Sequence, residues 1–432
     1  MRHGVEEVRL KNGAVGLFIN IPTATVMSYQ FNFRAGNRYT RSHDRYETAH
    51  LMEHMAFGAN SQFKDEHTYE AEFTKNGAYH NASTGDISMT YVANCADFEW
   101  QRILELQELA IAEPRFNNTE LESEKGNVRN ELTDMQNDYN RLIWPKVQQS
   151  LGEDTLLFSQ RAKTVNDITL ADIKEHYART HTAGNMRFIV AGKLRGRRTQ
   201  IKDMLENWHL APGERFEMPR DTYERSAPTL IRRKDATNLT FGWSSILPRK
   251  LEDSENDAMG CLNHILTGTL YSKVLGKARK RGLVYGVFSD VSNGPQEASW
   301  DFGGSVNYDT ASALFDLMAH EIKEVLKGNV GAEDVDAAKQ YALGRYQMGA
   351  QTVGQISNFY SGKYFMEGII DDYTRVPDMI KRVSIDGIVN MAREFFAANT
   401  WTLAAVGSCA KQDLVELNEK LVKLYPEGVS RI

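Results

Sequence analysis

The chain has 432 residues, a formal net charge of -6 at pH 7, 41% hydrophobic and 25% charged side chains. This describes an ordinary globular chain, long for one domain and comfortable for two, and it excludes a strongly basic nucleic-acid binder. Cys95, Cys261 and Cys409 lie far apart with no CxxC spacing, which suits a reducing compartment and gives no cysteine metal site.

The opening residues, MRHGVEEVRLKNG, contain no apolar core, so no signal peptide is expected. No run reaches the roughly 18 apolar residues of a membrane span. The expected location is therefore the cytoplasm, with a processed mature chain left open. Val5 to Ile21 reads as two short strands around the turn Lys11-Asn12-Gly13, and Val26 to Arg34 (VMSYQFNFR) alternates like a strand. After a polar loop, the pattern predicts a helix from about Arg45 to Phe57, closed by Gly58. A second helix, His67 to Asn76, stops at Gly77, and strand-like residues follow from Tyr79 to Ala93. Helices are then expected over Phe98 to Ala112, Thr119 to about Tyr139, and Thr169 to Tyr177, with a strand from Met186 to Ala191.

The helix from Arg45 to Phe57 carries His50-Leu51-Met52-Glu53-His54. Two histidines four apart share one face of a helix, one turn apart, and imidazole nitrogen suits zinc. Glu53 sits on the same side, able to face a metal-held water and take its proton. The order H-x-x-E-H inverts the common H-E-x-x-H zinc-protease arrangement. A catalytic zinc takes a third protein ligand and keeps one position open. The helix after Asn118 offers Glu120, Glu122, Glu124 and Glu131. Glu120 and Glu122 read as a solvated face. Glu124 and Glu131, seven apart, share a face, and either suits the third ligand while the other holds a histidine.

The stretch 211–229 (APGERFEMPRDTYERSAPT) carries three prolines and many charges and reads as a linker between a domain over 1–210 and another over 230–432. The second half repeats the first. A shift from 47 to 257, or 210 residues, aligns ETAHLMEHMAFG with DAMGCLNHILTG. His54 falls on His264, but His50 becomes Gly260 and Glu53 becomes Asn263, so His264 reads as a structural remnant. The ends of the halves also align, from Ile168 and from Val383.

His50-x-x-Glu53-His54 followed by Glu124-x6-Glu131 resembles the M16 family of zinc metallopeptidases, the family of pitrilysin, insulinase and the mitochondrial processing peptidase. The resemblance extends over AGNRY (35–39), EHMAFG (53–58), NASTGD (81–86), ESEKGNVRNEL (122–132), NMRFIVAG (185–192) and RGLVYGV (281–287). It implies an α+β fold of two homologous α/β-sandwich halves, each a mostly antiparallel sheet covered by helices, forming a clamshell. It implies one zinc per chain held by His50, His54 and Glu131, with Glu124 supporting the site and Glu53 as general base. Tyr285 matches the family's active-site tyrosine. The family arginine, seven residues earlier, falls on Ala278, and Arg279 is its neighbour. Substrate backbone is expected to pair near Asn81, Ala82 and Ser83. The expected function is zinc-dependent endopeptidase, acting on peptides or unfolded segments as a homodimer or heterodimer, with no nucleic-acid or membrane partner. The alternative is a non-catalytic partner or scaffold subunit; such members usually lose part of the zinc set, whereas His50, Glu53, His54 and Glu131 are all present here.

Overall fold

In the computed structural model, which describes residues 1–426, the first half of the chain runs β1 (Gly4–Arg9), β2 (Val15–Asn20), β3 (Val26–Arg34), α1 (Thr48–Ala56), α2 (Glu66–Thr74), β4 (Tyr79–Thr84), β5 (Ser88–Ala96), α3 (Trp100–Ala112), α4 (Asn118–Asn137), α5 (Tyr139–Leu151), α6 (Phe158–Thr164), α7 (Leu170–Thr180), β6 (Met186–Gly192) and α8 (Arg198–Glu206). The second half runs β7 (Thr229–Arg232), β8 (Leu239–Leu247), α9 (Asp253–Asn263), α10 (Leu275–Lys280), β9 (Val284–Asn293), β10 (Ala298–Val306), α11 (Tyr308–Leu326), α12 (Ala332–Met348), α13 (Val353–Glu367), α14 (Val376–Arg382), α15 (Ile385–Ala398), β11 (Thr400–Gly407) and α16 (Lys411–Val422).

The first sheet has the order β1-β2-β6-β3-β5-β4, the second β7-β11-β8-β10-β9. Each has one parallel pair, β2 with β6 and β7 with β11, and is otherwise antiparallel. The second order repeats the first from β2 onward, so the internal sequence repeat is also a repeat of topology. Both sheets are covered by helices, as the α+β expectation required. No helix among the described residues is long and apolar enough to cross a membrane.

The residues divide into two units whose membership is interleaved. One holds 1–134, 159–219 and 348–371; the other holds 135–158, 220–347 and 372 onward. Each half of the sequence therefore lends one helix to the other half's sheet, a departure from two contiguous domains over 1–210 and 230–432. In the first unit α13 lies over β3 and β6. The alternation in VMSYQFNFR suggests one solvated face, yet Ser28, Gln30 and Asn32 are buried. Gln30 is satisfied there by a hydrogen bond to Asn358 of α13, and the Asn32 Oδ1 accepts from the Thr90 hydroxyl at 2.8 Å. In the second unit α5 lies over β8 and β11. It was not foreseen, and Pro145 sits inside it, removing one donor from the helix ladder. Its close approach needs a smooth shelf. Gly242 and Gly303 are cross-strand partners, and a Cβ on Gly242 would come within 3.0 Å of Val147 and 3.2 Å of Ile143.

Residues 212–228 have no regular structure, but the stretch is pinned rather than loose. Its first part is tied to the first unit by Arg215 Nη1 donating to the Asn185 carbonyl at 2.9 Å. Its last part is tied to the second unit by Glu224 N to Leu151 O at 2.9 Å and Ser226 N to Trp401 O at 3.2 Å.

Two contacts set the entry to the metal-motif helix. The AGNRY loop is stitched to the β4–β5 turn by Gly36 N to Ile87 O, Asn37 N to Gly85 O and Arg38 N to Asp86 O, at 2.9–3.1 Å. A Cβ on Gly36 would lie 2.2 Å from the Gly85 carbonyl oxygen, so only glycine permits this approach. Behind α1, α7 buries His176, which donates to the Ala35 carbonyl at 2.9 Å, and is followed by buried His181, stacked on Phe33 with centroids 4.3 Å apart. Burial holds both imidazoles neutral, His176 at about 4 and His181 at about 3, the latter helped by His176.

These two histidines give the fold a defined acid sensitivity. Below the unfolded value near 6.5 the unfolded chain binds protons that the folded chain refuses, so stability falls as pH falls. The loss continues until the folded imidazoles themselves protonate, near 4 and 3. Each contributes a slope of about 1.4 kcal/mol per pH unit. Urea unfolding at pH 7 and pH 5 is expected to show this loss, and His181→Gln is expected to flatten the slope. A variant as steep as wild type would remove His181 from the account.

Candidate metal centre

Helix α1 places His50 and His54 one turn apart, with ring centroids 4.8 Å apart and Nε2 atoms 3.3 Å apart. Each Nδ1 is already engaged. His50 Nδ1 meets Glu47 Oε2 at 2.9 Å, and His54 Nδ1 meets Glu124 Oε2 at 2.9 Å. A carboxylate on each Nδ1 keeps a proton on that nitrogen, so Nε2 is the atom that faces Glu131 and, once its own proton is displaced, can ligate a metal. Glu131 Oε2 lies 3.3 Å from His50 Nε2 and 3.6 Å from His54 Nε2. Three donor atoms thus form a near-equilateral triangle. Two ligands about 2.0–2.1 Å from one tetrahedral zinc stand about 3.3 Å apart, so the donor set fits zinc in both size and chemistry. Glu53 has a carboxylate oxygen within 4.8 Å of both histidine nitrogens.

The electrostatics follow from burial and from these contacts. Burial alone would lower the His50 and His54 pKa values. Hydrogen bonds that His50 donates to Glu131 and Glu47 outweigh it there, and those that His54 donates to Glu124 and Glu131 push its pKa up to about 10. The same contacts, led by His50, hold Glu131 well below the usual carboxylate range. A metal entering here displaces protons, so its affinity falls with falling pH. Glu53 is raised by burial, against the pull of both histidines.

Glu47 was not among the sequence candidates. It is fully buried and held by Arg161, whose Nη2 donates to Oε2 at 3.1 Å. Burial would raise its carboxyl, but His50 and Arg161 bring it below the ordinary value. Its only sequence signal is its place three residues before His50. Nothing in the sequence points to Arg161, 114 residues from Glu47. Glu122 pairs with Lys125 at 2.8 Å and is 70% exposed. Glu120 departs from the expected solvated face. Its Oε1 accepts from Ala59 N at 2.9 Å, fastening the chain as it leaves α1, because the first free amide after a helix end needs an acceptor.

Asn81, Ala82 and Ser83 lie on β4, the edge strand of the first sheet, paired to Val92, Tyr91 and Thr90 of β5 on one side. Asn81 and Ser83 are exposed and Ala82 is buried. Tyr285 and Arg279 belong to the second unit. Tyr285 is the second residue of the edge strand β9, is 89% exposed, and has the Arg279 guanidinium 4.7 Å over its ring. Arg279 Nη1 also donates to the Tyr285 carbonyl at 2.9 Å. Ala278 is completely buried, so that position of α10 belongs to the core and Arg279 holds the outward face.

Residues 17–164 match the family model described as Insulinase (Peptidase family M16), and residues 167–341 match the one described as Peptidase M16 inactive domain. The chain belongs to peptidase family M16. Among solved structures, the fold is similar to a protease from Helicobacter pylori, at 16% identity and TM-score 0.83 over 94% of this chain and 100% of that one. It is similar to a peptidase M16 inactive domain from Pseudomonas fluorescens, at 16% identity and TM-score 0.82 over 94% and 99%. A putative M16-like peptidase from Alicyclobacillus acidocaldarius gives 17% identity and TM-score 0.74 over 94% and 98%. No curated protein matches the chain.

The second half of this M16 chain shows what the same positions do without a metal set. The 210-residue shift takes Glu131 to Tyr341, whose ring stacks on His264 with centroids 4.2 Å apart. Asn263, at the place of Glu53, accepts from the buried Trp300 Nε1 at 2.9 Å. Gly260 supplies no donor, and after α9 the chain passes into a π-helical turn, His264–Gly268.

Proposed function

We propose that this M16 protein is a zinc-dependent endopeptidase that cleaves peptides or unfolded polypeptide segments. The observation that carries the reading is the triangle of His50 Nε2, His54 Nε2 and Glu131 Oε2 with the partly buried Glu53 carboxylate beside it. His50, His54 and Glu131 would hold the zinc. When bound, the ion polarises a scissile carbonyl and acidifies a water molecule. Glu53 takes the proton of the attacking water and passes it to the leaving amine; its raised pKa suits both transfers. Glu47 and Glu124 keep the imidazoles aimed. An extended substrate adds as a strand to the free edge of β4 beside Asn81, Ala82 and Ser83, which requires an unfolded segment.

Tyr285, by its match in RGLVYGV, donates a hydrogen bond to the substrate carbonyl as negative charge develops, and Arg279 binds peptide. Tyr285→Phe is expected to lower kcat/KM about 10- to 1,000-fold, the scale of one lost oxyanion donor, while zinc content and melting temperature hardly change. Unchanged kinetics on a short peptide would remove Tyr285 from the mechanism. Three free cysteines fit action in a reducing compartment such as the cytoplasm, and the chain is proposed to act as a homodimer. Light scattering that finds only monomer at micromolar concentration, with full activity, would refute the dimer.

The second reading, a non-catalytic partner subunit, draws on the description of the matched second domain as inactive. Mass-spectrometric digestion of a peptide library, with and without chelator, separates the two. Chelator-sensitive cleavage supports the peptidase. No cleavage by zinc-loaded protein supports the partner subunit.

A further inference from the structure

Among the described residues, metal-donor side chains gather in threes at two places, and the second is Glu108, Glu113 and His209. We propose that these three side chains form a separate site for a zinc-type divalent ion, with a structural role. One carboxylate or imidazole donor atom from each lies within 4.8 Å of the others, and His209 Nδ1 is 3.7 Å from Glu113 Oε1. One imidazole nitrogen with two carboxylate oxygens is a donor set that zinc accepts.

Three further observations bear on it. Glu108, partly buried on α3, makes no hydrogen bond or ion pair among the described residues. Its carboxylate oxygens are therefore free to take up a cation beside Glu113 and His209. Glu113 is the C-cap of α3, at the negative end of the helix dipole, where a cation is favoured and a second carboxylate is not. His209 is outward-facing, but its backbone is fixed by the buried Trp208 and Leu210 on either side, with Trp208 packed on Phe31 at 4.7 Å.

The site also has a mechanical connection. Glu113 accepts from the Ser61 hydroxyl. The next two residues are tied to the same loop, through the Asn60–Pro114 bridge and Arg115 N to Ala59 O at 2.7 Å. That loop is the one leaving α1. An ion here would clamp the end of α3, the segment after α8, and the loop behind the His50–His54 helix into one rigid piece.

The inference does not rest on peptidase activity, and its test avoids it. The full chain carrying His50→Ala and His54→Ala, which removes the first centre, is titrated with zinc chloride. Metal content is measured after equilibrium dialysis at micromolar free zinc, and melting temperature is followed in parallel. Expected is about one zinc per chain, against about two in wild type, with a rise of several degrees on zinc addition. Glu108→Gln with Glu113→Gln, or His209→Ala, should abolish both in that background and take wild type from two zinc ions to one. His209 is 81% exposed, so its removal does not threaten the fold. No zinc in the His50→Ala/His54→Ala chain overturns the site, as does zinc retained after the Glu108 and Glu113 changes. Magnesium or calcium acting as strongly as zinc, with His209→Ala silent, overturns the imidazole ligation.

Discussion

Glu53→Gln is expected to keep zinc and fold while lowering peptide hydrolysis about 100- to 10,000-fold. The residue lies on α1 between His50 and His54, but its carboxylate is not one of the three atoms of the donor triangle. The Nδ1 atoms of His50 and His54 are held by Glu47 and Glu124, so replacing Glu53 leaves both imidazoles aimed. Glutamine has almost the same volume, which spares the packing around this partly buried side chain. What it lacks is basicity: an amide cannot accept a proton from water near neutral pH. The check is kcat on a peptide substrate beside metal content and melting temperature. A variant within about threefold of wild type, far below the usual contribution of a general base, would sink the assignment of Glu53. A variant that lost its zinc would make Glu53 a ligand instead.

The second large effect separates the two glutamates of α4. Glu131→Gln is expected to weaken zinc binding by more than about 100-fold, because a neutral amide replaces an anionic ligand in the triangle. Glu124→Gln should cost about 10- to 100-fold, the usual penalty for disturbing a partner of a ligand histidine. The reason lies in position. Glu131 Oε2 faces both Nε2 atoms, whereas Glu124 Oε2 faces the Nδ1 of His54 and is itself steadied by Asn127 Nδ2 at 3.1 Å. Competition with a chromogenic chelator measures both affinities. If Glu124→Gln abolishes binding and Glu131→Gln does not, the roles are exchanged.

Several features depended only on neighbours in sequence. The pairing of His50 with His54 is a property of one helical turn, and the shared face of Glu124 and Glu131 is a property of two. The strands around Lys11-Asn12-Gly13 and the segment Val26–Arg34 form as their local pattern requires. The internal repeat foretold two sheets of like order, because a repeated pattern of apolar faces has to be buried in a repeated way. For the same reason the loss of donors at Gly260 and Asn263 could be seen without coordinates.

Other features needed the chain to be folded. Whether Glu124 or Glu131 faces the Nε2 atoms depends on how α4 crosses α1, and residues seven apart on one face are equivalent until that crossing is set. Glu47 and Arg161 meet across 114 residues, a separation that no spacing rule spans. Glu120 looked like one more solvated charge, but a helix end beside it supplied a donor. The largest difference is the exchange of α5 and α13. An apolar stripe states that a helix must be covered, not by which sheet. Likewise, the polar alternation of β3 reads as solvent-facing until Asn358 arrives to meet Gln30. Local geometry is encoded by neighbours along the chain, while the choice among equivalent partners is made only when distant surfaces compete for burial.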